Sequence, residues 1–479
     1  MSGAIAGPCD TGIAVATPPS SAPHPRATLA ATILGSSVAF IDGSVVNVAL
    51  PAIAGDLSAS PAELSWSINA YLLPLAALML LGGGAGDHFG RRRLFLIGVT
   101  VFTLASILCA AAPTLGWLLA ARSVQGLGAA LLMPNSLAIL GSAFTGEARG
   151  RAIGIWAAAG AVAGALGPLV GGWLVDTIGW RMIFLINLPV AAAAAYLTWA
   201  YVAESKDRRR SLSLDWAGAG FATVALGLLT WSLTAAATAS APATWRWLAA
   251  VAGFALFGVF LWLEGKRGQR AIMPLTMFGT QTFIGITLLT FFLYGSLGGL
   301  LVLLPFLLIR VAHYSAIAAG AALLPLPILI GLGSPLMGGL TPRIGGRMPL
   351  AIGAAMVAMG LALYARVAID RVDYWSDILP ATLLVAIGMG ISVAPLTTTV
   401  IASVDVDHVG AASGSNSAVA RIAGLIATAL LGFVFLRQGS AELFVSGFRV
   451  AALIGAGSAA VASGCAVLLI SNSLASAVD

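Results

Sequence analysis

Residues 83–93 read Gly83-Gly84-Ala85-Gly86-Asp87-His88-Phe89-Gly90-Arg91-Arg92-Arg93, a charged island between two long apolar runs. Three adjacent arginines do not enter hydrocarbon, so the segment is a tight turn between two membrane helices, with its cations in water or among headgroups. Further along, Gly338, Arg343, Gly345 and Arg347 stand where Gly83, His88, Gly90 and Arg92 stand here, each 255 positions later. The turn sets an orientation, and its echo points to a chain built twice.

Working outward, the flanking runs are typical of the whole. Hydrophobic residues make up 59% of 479 and charged residues 9%, and the mean hydropathy is +0.98, whereas a soluble domain carries about 25% charged residues. Apolar stretches of about 20 residues recur without the alternation of barrel strands, so the fold class is an all-α polytopic membrane protein. The net charge of +6 is spread over helix ends instead of one soluble face, which excludes nucleic acid as a partner. Cys9, Cys109 and Cys465 are too scattered for a disulfide or metal framework, and no metal or cofactor is expected.

Fourteen transmembrane helices fit, at 28–50, 65–85, 94–112, 116–140, 150–174, 182–203, 215–236, 246–264, 282–308, 316–340, 348–367, 378–401, 414–436 and 448–471. With both termini cytoplasmic, Arg91–Arg93, Arg149, Arg151, Lys206, Arg208–Arg210, Lys266, Arg267, Arg343 and Arg347 all lie inside, and fewer basic residues, among them Arg181, Arg246 and Arg310, lie outside. The repeat extends to Leu50-Pro51 with Leu304-Pro305, Leu72-Leu73-Pro74 with Leu323-Leu324-Pro325, Gly126 and Gly128 with Gly388 and Gly390, and Gly150, Gly154 and Gly164 with Gly410, Gly414 and Gly424. The organisation is therefore a disordered cytoplasmic tail (1–27, Pro-rich), a six-helix bundle (28–203), cytoplasmic linkers with two extra helices (204–280), a second six-helix bundle (281–473) and a short cytoplasmic tail (474–479). Parallel repeats of this kind belong to transporters whose halves rock about a central site.

Of 18 acids, only Asp42 lies well inside an apolar span, in Ala39-Phe40-Ile41-Asp42-Gly43-Ser44. A membrane carboxyl is protonated, paired or facing water, and burial pushes it toward the range where it exchanges protons. It is the leading proton or substrate site; the alternative is a carboxylate bonded to neighbouring helices for packing alone. Asn47, at i+5, reads as an interhelical hydrogen bond. Arg122 needs an internal counter-charge or a wet cavity, or else snorkels to the surface, and Leu384 takes its place in the second half. Gly160, Gly164, Gly167, Gly171 and Gly172 around Pro168 mark a close-packed, bent helix at a moving interface. Asp87 pairs with an arginine to hold the cytoplasmic side closed, or is an exposed turn acid. Trp117, Trp173, Trp180, Trp199, Trp245, Trp247 and Trp262 read as interface anchors. Trp66, Asn69, Tyr71, Gln125 and Trp156, with Asn47, are tentative walls of a substrate cavity. The two lysines, Lys206 and Lys266, precede Asp207 and Arg267, so no Gly-Lys-Ser/Thr phosphate loop exists and transport draws on a gradient.

As a set these motifs resemble the major facilitator superfamily, and within it the fourteen-helix drug/proton antiporter family. Gly83, Asp87, Gly90, Arg91 and Arg92 resemble its cytoplasmic gating loop. Arg122, Gln125, Gly126 and Gly128 resemble the fourth-helix motif implicated in proton coupling. Gly160, Gly164, Gly167, Pro168, Gly171 and Gly172 resemble the fifth-helix motif of exporters. Asp42, Asn47, Leu50 and Pro51, and Trp180, Arg181, Phe184, Asn187 and Pro189, resemble runs of the fourteen-helix branch. His88 stands where that loop has Arg or Lys, and Ser44 where Thr is usual. The resemblance implies a proton-coupled antiporter, not an enzyme, which exports amphipathic small molecules such as drugs or antibiotics from the cytoplasmic membrane by alternating access, with a monomer favoured. The rival readings are a dedicated exporter of one metabolite and a transport-dead sensor or scaffold. The second half has no membrane acid, which argues against dications as cargo.

Overall fold

The computed structural model describes residues 23–144, 146–206, 216–238, 241–268, 275–367, 372–404, 409–435 and 441–471. Residues 1–22 of the expected N-terminal tail, most of the first charged linker and the C-terminal tail lie outside them. All regular structure among the described residues is helical. The first bundle contains α1 (Pro25–Asp56), α2 (Pro61–Phe89), α3 (Arg91–Ala110), α4 (Leu115–Ala143), α5 (Gly146–Thr177), the short α6 (Met182–Leu185) and α7 (Asn187–Tyr201). A hairpin, α8 (Trp216–Thr238) and α9 (Ala243–Arg267), follows. The second bundle contains α10 (Gln281–Arg310), α11 (Ala316–Ala322), α12 (Pro325–Ile344), α13 (Arg347–Tyr364), α14 (Leu379–Ala402), α15 (Val409–Leu430), the short α16 (Gly432–Phe435) and α17 (Ala441–Leu469).

Among the described residues, twelve segments are long and apolar enough to cross a membrane, or thirteen when the two parts of α2, bent by 52° at Leu80, are taken together. The bend falls between Pro74 and the side-chain-free run Gly82–Gly84, both of which loosen a helix. Fourteen spans were expected. The difference lies in α15, a 22-residue helix whose Ser413, Ser415, Asn416, Ser417 and Arg421 lower its apolarity.

The duplication is built into the backbone. Ser58 and His313, each just past the first helix of its half, adopt positive φ (50° and 57°), a conformation costly for residues with a Cβ. Ser60 and Ser315 then cap α2 and α11 through their side chains. Gly90 and Gly345, with φ of 114° and 76°, end α2 and α12 before an arginine opens the next helix. All three pairs are 255 positions apart. Glycines also set the helix crossings. A Cβ on Gly128 would meet the Phe102 backbone nitrogen of α3 at 2.6 Å, and one on Gly353 would meet the Gly388 carbonyl of α14 at 2.6 Å, so α3–α4 and α13–α14 pack backbone to backbone.

The halves meet along α2 with α15, α5 with α11 and α12, and α1 with α10, and α8 lies against both α2 and α15. Polar ties between the halves concentrate toward one end. The Asp176 carboxylate accepts from the Ala316 and Ile317 amides at 3.1 and 2.8 Å, Arg310 donates to the Pro51 carbonyl at 3.1 Å, and Thr428 of α15 donates to the Asn69 amide oxygen of α2. At the opposite end, that of the Asp87 turn, no hydrogen bond or ion pair joins the halves among the described residues.

Candidate functional site

Asp42 lies mid-way along α1 and is fully buried. Its Oδ2 accepts from Arg122 of α4 at 2.5 Å, and its Oδ1 accepts from the Gln125 amide at 2.8 Å and, more weakly, from the Asn187 amide of α7 at 3.5 Å. Arg122 also donates to the Ser67 carbonyl of α2 at 3.0 Å and to Gln125 Oε1 at 2.6 Å. The Tyr71 ring covers its guanidinium at 4.4 Å, a cation–π contact that favours the charged form. Gln125 donates in addition to Ser106 Oγ of α3 at 2.9 Å. Five helices thus converge on one charge pair. The local reason is spacing: Arg122 and Gln125 are three apart and share a face of α4, and Gly126 behind them lets the Tyr71 backbone approach.

This arrangement decides several alternatives. Arg122 does not snorkel to the surface; it is 1% exposed and turned inward. Asp42 is paired instead of facing open water. Tyr71 and Gln125, expected to line a cavity, are instead buried in the network, and the bonds that hold Gln125 occupy both ends of its amide. Asn69 is buried as well, at the seam with Thr428. The Asn47 side chain is buried and forms no hydrogen bond among the described residues, so the expected interhelical bond is not made. Trp66 is partly buried and likewise forms none. Trp156 is engaged elsewhere, donating to Ser36 and Ser136 at 3.0 Å each in a polar cluster of α1, α4 and α5. A cavity of about 640 Å³ opens between α10, α15 and α17 and is lined by apolar groups such as Phe292, Ile426 and Leu430; no residue of the Asp42 network borders it.

The Asp87 turn is ordered by its own bundle. Asp87 pairs with Arg91 at 2.7 Å, and Arg91 reaches the Ala138 carbonyl of α4 at 3.5 Å, so this ion pair ties α2 to α4 and leaves the second half untouched. Glu204, at the start of the charged linker, caps α3: its carboxylate accepts from the Arg92 and Arg93 amides at 3.1 and 3.2 Å, a favourable place for an anion. Gly83 packs loosely on Pro134, and Gly90 accommodates the Glu204 carboxylate, which a Cβ would meet at 2.7 Å. The α5 stripe divides between two partners. Gly160, Gly167 and Gly171 lie against Phe40, Ser44 and Val45 of α1, while Gly172 and Pro168 lie against Ala316 and Gly320 of α11; Gly164 touches nothing within 4 Å. Trp180 is no lipid-facing anchor: at 5% exposure it donates to Asp56 at 3.0 Å beneath Arg181, which pairs with Asp56 at 2.6 Å.

Ser106, Asn187, Glu204 and Asp176 carry polar contacts that their sequence context did not single out for these roles. Ser and Asn are too common in apolar spans to stand out, and the two acids lie at helix ends, where acids are ordinary.

Two helical bundles joined by a seam with its ties toward one end, and a charge pair buried in one of them, define a secondary transporter of the multi-pass membrane class. The Major Facilitator Superfamily profile matches residues 32–428, and the chain belongs to that family. It is 35% identical over 423 residues to multidrug resistance protein Stp of Mycobacterium tuberculosis strain H37Rv, covering 87% of this chain and 77% of that protein. It is 32% identical over 432 residues to the methylenomycin A resistance protein of Bacillus subtilis strain 168, covering 85% and 90%. Among solved structures, a bacterial homologue of the human lysosomal transporter Spinster, in an inward-facing, occupied conformation, superposes with a TM-score of 0.64 at 17% identity over 94% of this chain and 97% of that one; at that identity the likeness concerns the fold.

Proposed function

We propose that this protein exports amphipathic small molecules across the cytoplasmic membrane in exchange for protons, by alternating access, with Asp42 as the proton-carrying group and Arg122 as its switchable partner. The observation that carries the reading is the Asp42–Arg122 pair, sealed inside one bundle and bonded through Gln125 and Asn187. A proton arriving at Oδ2 competes directly with the guanidinium. Once the carboxyl is neutral, Arg122 keeps its bonds to Ser67 and Gln125 but loses its counter-charge, and an uncompensated buried cation costs several kcal/mol. That cost is available to drive rearrangement of α1 and α4 against α2. The ties between the halves, concentrated toward the Asp176 end, support a state closed there and open at the Asp87 end. Export is supported by the relatives named for drug and antibiotic resistance. The fourteen-span count, the bundle boundaries, both termini in the cytoplasm, the gating role of Asp87 and Arg91, and a monomeric working unit belong to this proposal.

The test is Asp42→Asn in proteoliposomes and everted vesicles. Membrane levels should equal those of wild type while proton-driven dye efflux is abolished; efflux at the wild-type rate would overturn the assignment. A dedicated exporter of one metabolite is the second reading, favoured by a relative named for a single antibiotic. Competition among chemically unrelated compounds separates the two: mutual inhibition supports a broad exporter.

A further inference from the structure

Arg421 occupies the thirteenth position of the 22-residue α15, as far from water as that helix allows. A guanidinium keeps its charge at any physiological pH, and within a membrane span it requires an opposite charge, clustered carbonyls or water. Among the described residues it forms no hydrogen bond and no ion pair. The helices packed around α15 include α2, α8 and α10. The titratable side chains that act on Arg421 are Tyr71 of α2 and Tyr294 of α10, and α8 has no acid or base. In the second bundle the described acids, Asp373, Asp377 and Glu442, all lie at helix starts. Asp42 is committed to Arg122 and Gln125. The two mid-span arginines therefore differ in kind: Arg122 has its carboxylate inside the protein, and Arg421 has none.

The groups that act on Arg421, Tyr71 and Tyr294, are neutral phenols. Thr428 lies two turns further on the same face and gives its hydroxyl proton to Asn69 Oδ1, while Asn69 Nδ2 is buried without an acceptor. The Tyr294 hydroxyl forms no hydrogen bond among the described residues. Arg421 is half-buried as a residue. A guanidinium without an internal counter-charge binds oxyanions, through charge-assisted and often paired hydrogen bonds.

We propose that Arg421 is the cargo-recognising cation of the transport path, and that the cargo class is an amphipathic molecule with a carboxylate or equivalent oxyanion. The inference rests on the export reading above and narrows it. The cargo supplies the anion that the second bundle lacks, so an empty carrier holds an uncompensated cation and a loaded one does not.

Two dyes with the same xanthene core test this: fluorescein, which carries a carboxylate, and rhodamine 6G, an esterified cation. Binding is followed by fluorescence anisotropy on purified full-length protein, with empty micelles as the blank. Wild type should bind fluorescein, and Arg421→Gln should weaken that binding at least tenfold, about 1.4 kcal/mol. Arg421→Lys, which keeps the charge, should retain part of it, and rhodamine 6G binding should be unchanged or tighter in Arg421→Gln. Fluorescein binding by wild type no greater than to empty micelles, or equal binding by a monodisperse Arg421→Gln protein, overturns the inference. Proton-driven rhodamine 6G efflux by wild-type vesicles is measured in parallel; its absence together with Arg421-dependent fluorescein binding would count against export and leave the anion site standing.

Discussion

Asp176→Ala should shift the protein away from the state described here. The Asp176 carboxylate reaches across the seam from the end of α5 to the first-turn amides of α11, at 3.1 and 2.8 Å. Because α11 keeps its own cap, Ser315, whose hydroxyl accepts from the Ala318 amide at 3.2 Å, the substitution leaves the helix intact and removes only the tie between halves. A cap of this type is worth about 0.5–2 kcal/mol. Asp176 is exposed, and solvent places the value near the middle of that range, about 1 kcal/mol. One kcal/mol changes a two-state ratio about fivefold, toward the state open at the Asp176 end, because the bond exists only in the closed one. Spin labels at Trp117→Cys and Trp375→Cys, exposed positions at that end of the two halves, with the native cysteines changed to serine, report the populations by electron–electron distance measurement. The longer-distance population should grow about fivefold. A distribution that matches that of the labelled parent would refute the view that this contact holds the end closed.

Arg122→Gln should be more damaging than its double mutant. Alone it strands a buried carboxylate, at about 3–5 kcal/mol, whereas Asp42→Asn with Arg122→Gln leaves two neutral amides able to bond each other; thermal unfolding in detergent should place the double mutant above the single, and the reverse order would contradict an ionised pair. Along α5, Gly164→Ala meets open space and Gly167→Ala meets Ser44 and the Ile41 carbonyl. The first should keep wild-type stability and transport, and the second should lose about 1–3 kcal/mol from overpacking, read as a lower unfolding midpoint; equal midpoints would show that α1 and α5 are less tightly seated than described.

Much of the plan was legible because its signals run along one dimension. Charge cost marks the Arg91–Arg93 turn, and a constant offset of 255 ties it to Gly345 and Arg347; the backbone carries the same offset at Ser58 and His313, where nothing in the residue types hinted at it. Asp42 and Arg122 were each conspicuous as charges in apolar runs. That they face one another across 80 residues is a property of how α1 and α4 pack, which no local pattern encodes. The same holds for Glu204 on α3 and Asp176 on α11, both of which need a neighbour brought by the fold. The burial of Tyr71 and Gln125 in the Asp42 network has a related reason: both have the right chemistry to line a wet pocket, but the direction of a side chain depends on which helix lies opposite. In α15, Ser413, Ser415, Asn416, Ser417 and Arg421 blur the apolar run that marks the other spans.

The hairpin of α8 and α9 leans on α2 from one half and on α15 from the other. Any rocking that separates those two helices must make α8 slide along at least one of them, so the pair behaves as a strap that adds friction to the cycle.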